Sequence, residues 1–286
     1  MPPEPPQGPP PRKPLDAAAS LLDRGLRRRL ASDLRGALGR SELTLHYQPR
    51  IRLADGAQVG AEALLRWRHA KRGDVAPAAF IPVAEGSDLI VALGAWVLRT
   101  AAAAAAARPA LGRLSVNVSA RQILTGALPG QVEAALAETG LPPERLELEL
   151  TETLALPEGP EVVGLLRGLR DRGIGLALDD FGAGHASLGR LRRLPFSTLK
   201  FDHSLIAGLA EAGPDLAILR ALRDLGRALG LRLVAEGVEQ AAQRDLLAGL
   251  GVDEAQGFLF GVPAELEPCP AAPLAPATEG TTTGDA

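Results

Sequence analysis

The chain has 286 residues, 46% hydrophobic but only 3% aromatic, with a formal net charge of -3. That length suits one large domain, in the size range of α/β barrels, with a core built mostly from Leu, Ala and Val; the charge gives no basic footprint for duplex nucleic acid. The single cysteine, Cys269, excludes an intrachain disulfide framework and fits a reducing, cytoplasmic setting.

Residues 1–14 are dominated by proline and lack the basic start and apolar stretch of a secretory signal, so a disordered tail is expected there. Over 15–39 the pattern changes. Leu22, Leu26, Leu30, Leu34 and Leu38 recur every four residues, with Arg24, Arg27, Arg28, Arg29 and Arg35 among them. This predicts an amphipathic helix lying on the main domain with a solvated basic face; a dimer or interdomain contact is the alternative.

Leu43 to Pro49 alternates as a strand and Ile51 to Leu53 continues it. Ala54-Asp55-Gly56 is a turn, and Gln58 to Trp67 returns as a second strand, which makes the pair antiparallel. Pro77 to Glu85 and Leu89 to Ala107 read as helices. The second is nearly long enough to span a bilayer, but Arg99 inside it costs roughly 2.5–3.5 kcal/mol near a bilayer centre. A half-buried helix of a soluble domain is therefore predicted, with no membrane segment.

Strands and helices then alternate. Strands are predicted at Leu114 to Val118, Leu146 to Leu150, Ile174 to Leu178, Thr198 to Phe201, Leu231 to Ala235 and Val252 to Ala255. Helices fill the spacers: through Thr139, from about Glu158 to Arg172, near Ser187 to Arg193, from about Pro214 to Leu229, and from Glu239 to Gly249. The alternation argues for a closed α/β barrel over 40–263 rather than an open sheet, and no glycine-rich nucleotide loop follows the early strands. A Pro, Ala and Thr-rich disordered tail is expected over 264–286.

Most predicted strands end in or near a polar, metal-competent or charged side chain: Glu62, Asn117, Glu149, Asp179 with Asp180, Lys200 with Asp202, Glu236 and Gln256. One strand-end carboxylate is usually a helix cap or a solvated turn. Their recurrence in chain order is better explained by the C-terminal mouth of a barrel, where active sites sit. Glu62, Asn117, Glu149, Asp179 and Asp180 offer only oxygen, which selects hard cations such as Mg²⁺, Mn²⁺ or Ca²⁺. Zinc does not fit, because His46, His69, His185 and His203 form no ligand spacing; all four read as surface or packing residues.

Glu62-Ala63-Leu64-Leu65-Arg66-Trp67 resembles the defining motif of EAL domains, the bacterial cyclic-di-GMP phosphodiesterases. The likeness runs through Tyr47-Gln48-Pro49, Asn117 to Gln122, Glu149-Leu150-Thr151-Glu152, Asp179-Asp180-Phe181-Gly182, Lys200-Phe201-Asp202, Glu236 to Glu239 and Gln256-Gly257-Phe258. The resemblance implies a TIM-like (β/α)8 barrel with one antiparallel strand. It implies metal-dependent hydrolysis of cyclic di-GMP to linear pGpG with two Mg²⁺ or Mn²⁺ ions, and it leaves a homodimer open. Carried over by motif, Glu62, Asn117, Glu149, Asp179, Asp180 and Glu236 hold the metals, while Asp202 and Glu239 position metals or their waters. Gln48, Leu64 and Arg66 line the substrate side. Lys200 touches the nucleophilic water, with a pKa depressed by the nearby cations, Gln256 supports it, and Glu152 anchors the loop after Asp180.

Two departures stand out. Ala183-Gly184-His185-Ala186-Ser187 replaces the family's usual threonine-glycine-tyrosine-serine-serine, losing hydroxyls that bear on loop anchoring, and Val262 stands where arginine is common. No diguanylate cyclase domain is expected ahead of the barrel. Two other readings remain: a catalytically idle barrel that binds cyclic di-GMP or a protein, and a metal-dependent phosphodiesterase for another substrate.

Overall fold

In the computed structural model, residues 25, 28–152, 156–183, 188–209 and 213–266 are described. The expected tail at 1–14, most of the helix before residue 28, His185 and the segment from 267 on with Cys269 lie outside the described residues.

Period-two patterning builds nine strands: β1 Leu43–Arg52, β2 Gln58–His69, β3 Gly73–Val75, β4 Arg113–Asn117, β5 Leu146–Thr151, β6 Gly175–Phe181, β7 Thr198–Phe201, β8 Arg232–Ala235 and β9 Glu254–Gln256. All but β3 close into a ring in the order β1-β9-β8-β7-β6-β5-β4-β2, with β2 returning to β1. β1 is antiparallel to both ring neighbours, β2 and β9, and every other ring pair is parallel. The predicted hairpin is thus the reversed strand of an eight-stranded α/β barrel. β3 is an addition, paired antiparallel outside the ring on β2.

The helices are α1 (28–37), α2 Pro77–Glu85, α3 Leu89–Ala106, α4 Ala120–Leu124, α5 Ala127–Thr139, α6 Pro160–Asp171, α7 Leu188–Arg193, α8 His203–Ala207, α9 Pro214–Ala228 and α10 Ala241–Gly249. The helical run expected through Thr139 is two helices, because Gly126 takes a left-handed φ of 69° between α4 and α5. α8 was not expected; Asp202 caps it by accepting from the Ser204 backbone N–H at 2.9 Å. Helix α3 is long and apolar enough to cross a membrane by length and composition alone. Of its buried side chains, Leu98 and Ala101 pack in the main core and Leu93 in a second cluster.

Outward strand side chains such as Leu148, Leu176, Leu199 and Leu233 form the main core with the helices. A second cluster joins Leu30, Leu34 and Ala37 of α1 to Leu43, Trp67, Phe80 and Ala84, while Arg28, Arg29 and Arg35 face solvent. Trp67 meets the Phe80 ring edge-on at 5.5 Å and donates from Nε1 to Glu42 Oε2 at 3.1 Å, so its one polar atom is satisfied where the ring is buried. Ala264, assigned above to the tail, pairs its backbone with Tyr47.

Candidate active site

Inward-facing positions near the C-terminal strand ends bring four carboxylates around one amine. Lys200 on β7 is fully buried. Its Nζ lies 2.6 Å from Glu236 Oε1, 2.8 Å from Glu149 Oε2, 3.1 Å from Asp179 Oδ1 and 3.7 Å from Glu62 Oε2. Glu62 is fixed from both sides: Asn117 Nδ2 donates to Oε1 at 2.7 Å and Gln256 Nε2 to Oε2 at 2.6 Å. Gln256 also donates to Gln48 Oε1 at 3.1 Å, so the reversed strand β1 is tied into the same group.

One ammonium does not balance four carboxylates, and the acidities reflect this. Burial disfavours the charged form of each. It raises Glu149 well above the usual carboxylate range, raises Asp179, and lifts Glu236 to about 8, against the opposing pull of Lys200. Glu62 goes the other way: Lys200 and the amides of Gln256 and Asn117 outweigh burial and lower it. Burial alone would lower Lys200; Asp179, Glu149, Glu236 and Glu62 outweigh it and hold the ammonium well above its ordinary value. A depressed lysine, as the sequence suggested, would require bound cations.

Adjacent residues on a regular strand point to opposite faces, yet both Asp179 and Asp180 line the same pocket. A bulge explains it. Leu178 pairs with Leu199 but Phe181 with Phe201, so β6 carries one extra residue against β7. Asp180 takes a φ of 57°, the left-handed region that Asp tolerates better than most residues. Strand β6 therefore does not stop before the two carboxylates, as the apolar run suggested, but carries them to Phe181. Burial, Asp179 and Asp202 together push Asp180 up to about 6.

Glu152 does not join the cluster. Its backbone N–H donates to the Asp179 carbonyl at 3.0 Å, and its Oε2 accepts from the Gly182 N–H at 3.4 Å, just beyond the bulge. Glu152→Ala is expected to leave the melting temperature of the metal-free protein nearly unchanged, to weaken Mn²⁺ binding and to speed hydrogen exchange at the Gly182 amide. A lower melting temperature with intact metal affinity would instead make it a helix-end charge worth roughly 0.3–1 kcal/mol.

Above the cluster opens a pocket of about 360 Å³ lined by Gln48, Glu62, Leu64, Asp179, Asp180, Glu236, Glu239 and Gln256. Glu149 and Lys200 lie beneath it. Arg66 donates to its neighbour Leu65 and lines an adjoining apolar pocket of about 290 Å³, together with Leu64 and Asn117. His203, read above as a surface or packing residue, is exposed and lines the acidic pocket. Gly237, at a φ of 68°, makes room for it: a Cβ there would lie 2.7 Å from His203 Cδ2. Phe258 also lines the pocket and is 63% exposed. The position of His203 directly after Asp202 was the only signal available for it.

The donor set fits a hard divalent cation. Oxygens of Asp179, Asp180 and Glu236 all lie within 4.8 Å of one another. Glu149 Oε1 is buried without a hydrogen bond while Oε2 is ion-paired with Lys200 Nζ at 2.8 Å, which leaves acceptor capacity at Oε1.

The bifunctional diguanylate cyclase/cyclic di-GMP phosphodiesterase MucR of Pseudomonas aeruginosa is 42% identical over 242 residues, 83% of this chain and 35% of that protein. The cyclic di-GMP phosphodiesterase NbdA of the same organism is 38% identical over 241 residues, 83% of this chain and 31% of that protein. The chain thus spans about a third of the length of these curated relatives. Among solved structures, the PaMucR phosphodiesterase in its c-di-GMP complex superposes with a TM-score of 0.77 at 42% identity, covering 82% of this chain and 97% of that one. Residues 31–263 match the EAL domain model, and the chain belongs to the EAL domain family.

Proposed function

We propose that this chain hydrolyses one phosphodiester bond of cyclic di-GMP to give linear pGpG. The carrying observation is the convergence of Glu62, Glu149, Asp179 and Glu236 on buried Lys200 beneath an acidic pocket. No metal-ligand, lysine or glutamine position of the family motif is lost, which favours an enzyme over an idle receptor, and the relatives named above as cyclic di-GMP phosphodiesterases support the substrate.

In this reading Glu62, Asn117, Glu149, Asp179, Asp180 and Glu236 hold two divalent ions, Mg²⁺ or Mn²⁺. Such ions neutralise a phosphate, acidify bound water and stabilise a leaving oxygen. The protein's own contribution is placement. Gln256 and Asn117 hold the Glu62 carboxylate by both oxygens. Lys200, set among Glu149, Asp179 and Glu236, orients the attacking water. Gln48, Leu64 and Arg66 face the nucleotide, and Asp202 and Glu239 would position the metals or their waters. The chain works in the cytoplasm, where its nucleotide is dissolved.

Purified protein incubated with cyclic di-GMP and Mg²⁺ or Mn²⁺ should yield pGpG. EDTA should abolish turnover, Mn²⁺ should restore it, and Ca²⁺ should inhibit through its looser coordination geometry. Full activity after exhaustive chelation would remove the metals from the mechanism. Nucleotide binding without any turnover would make the chain a receptor.

A further inference from the structure

Beneath the carboxylate cluster, the barrel interior holds a second ionic layer that no motif names. Arg50, almost wholly buried, pairs through Nη1 with Glu147 Oε1 at 2.5 Å and through Nε with Glu254 Oε2 at 2.8 Å. Its Nη1 also donates to Ser115 Oγ at 3.1 Å. The hydroxyls of Ser115 and Thr198 donate to the two Glu147 oxygens at 3.1 and 2.7 Å, and Arg232 Nε lies 3.2 Å from Glu254 Oε1. The backbone clears space for this lattice. A Cβ on Gly175 would come within 3.1 Å of Glu147 Cγ; one on Gly60 would meet the Arg113 carbonyl at 2.6 Å as well as Arg50 Nε at 3.3 Å.

The two layers are in register. Arg50 shares β1 with Gln48, Ser115 shares β4 with Asn117, Glu147 shares β5 with Glu149, Thr198 shares β7 with Lys200, and Glu254 shares β9 with Gln256. Each pair is separated by two residues, the repeat that returns a strand side chain to the same face. The layers also feel each other's charge. Burial would lower Arg50, but Glu147, Glu254 and, from the upper layer, Glu149 outweigh it and raise it.

Filling volume alone does not call for such a lattice. Barrel interiors are ordinarily packed with Val, Ile and Leu, and exchanging a buried ion pair for well-packed apolar residues is often neutral or stabilising. What a directional lattice adds is a fixed height and rotation for each strand it bridges. We propose that Arg50, Glu147 and Glu254 are positioning residues, which lock the strands carrying Gln48, Asn117, Glu149, Lys200 and Gln256 and so preset the oxygen donors for a divalent cation. This rests on the metal-binding part of the reading above and not on the choice of nucleotide.

The test is calorimetric titration of Mn²⁺ alone into the nucleotide-free full chain. Thr198→Val removes one hydrogen bond to Glu147 at nearly constant volume. Arg50→Lys keeps the cation but loses the guanidinium geometry in which Nη1 donates to both Glu147 and Ser115 while Nε stays ion-paired with Glu254. Leu148→Val, on the outward face beside Glu147, is the control for general destabilisation. Both layer variants should weaken Mn²⁺ binding about tenfold, the lower end of the range for groups that orient metal ligands. The control should lower the melting temperature and leave the affinity alone. Unchanged affinity in the layer variants overturns the proposal, as does an equal loss in the control. If Arg50→Lys does not fold, Thr198→Val and Ser115→Ala decide. A wild-type chain that binds Mn²⁺ without producing pGpG overturns the proposed function and leaves the proposal open to the same variants; one that binds no Mn²⁺ overturns both.

Discussion

Lys200→Ala should lower kcat for cyclic di-GMP at least about a hundredfold, the scale for losing a group that manages protons at the reacting centre, while KM changes much less. The side chain is fully buried and walled off by Glu149, Asp179 and Glu236, so it offers little binding surface to lose. The metal-free variant should also melt earlier, because removing one partner of a buried ion pair costs about 3–5 kcal/mol. That loss has a sign with pH. Carboxylates stripped of their cation take up protons in the fold, so stability should fall further as pH rises toward 8 and recover in mild acid. Mn²⁺ should restore the melting temperature without restoring turnover. If KM rises steeply while kcat survives, Lys200 clamps a phosphate instead.

Asp179→Asn should separate stability from function. Burial and the charge of Glu62 raise the Asp179 pKa against the pull of Lys200, so the fold already disfavours its ionised form. A neutral isostere relieves that strain, and the metal-free protein should melt at the same temperature or higher. Metal affinity should drop at least about a hundredfold, the upper end of the range for groups that merely support ligands, and turnover should drop with it. Intact Mn²⁺ affinity would take Asp179 out of the ligand set. A large fall in the metal-free melting temperature would make it a structural residue.

Much of the barrel could be read from the chain because its signals are local. Glu62, Asn117, Glu149, Asp179 and Gln256 each lie on a strand with a recognisable period. What was not readable depends on partners far apart in sequence. Gln256 reaches Glu62 across 194 residues, and Arg50 reaches Glu147 across 97. The Leu146-Glu147-Leu148-Glu149-Leu150 alternation puts two carboxylates on one face of β5, though only Glu149 was singled out above. Nothing local said that the first would meet an arginine and the second a lysine. The bulge at Asp180 was hidden for a similar reason, since it exists only relative to the register of β7. His203 became a pocket residue only because Gly237, on another strand's loop, leaves it room.

The reversal of β1 has a mechanical side. Leu43 lies beside Trp67, beyond Glu62 toward the open end, and Ala264 bridges to Tyr47 on the same strand. Both ends of the described barrel therefore meet at the rim where the carboxylates gather. In an all-parallel barrel the incoming chain would join at the base, with the full height of the staves between it and the site. Here the first stave hangs from the top, like a handle fixed to a lid. Torque on either flank would reach Gln48, five residues into that stave, through a single hydrogen-bonded ribbon.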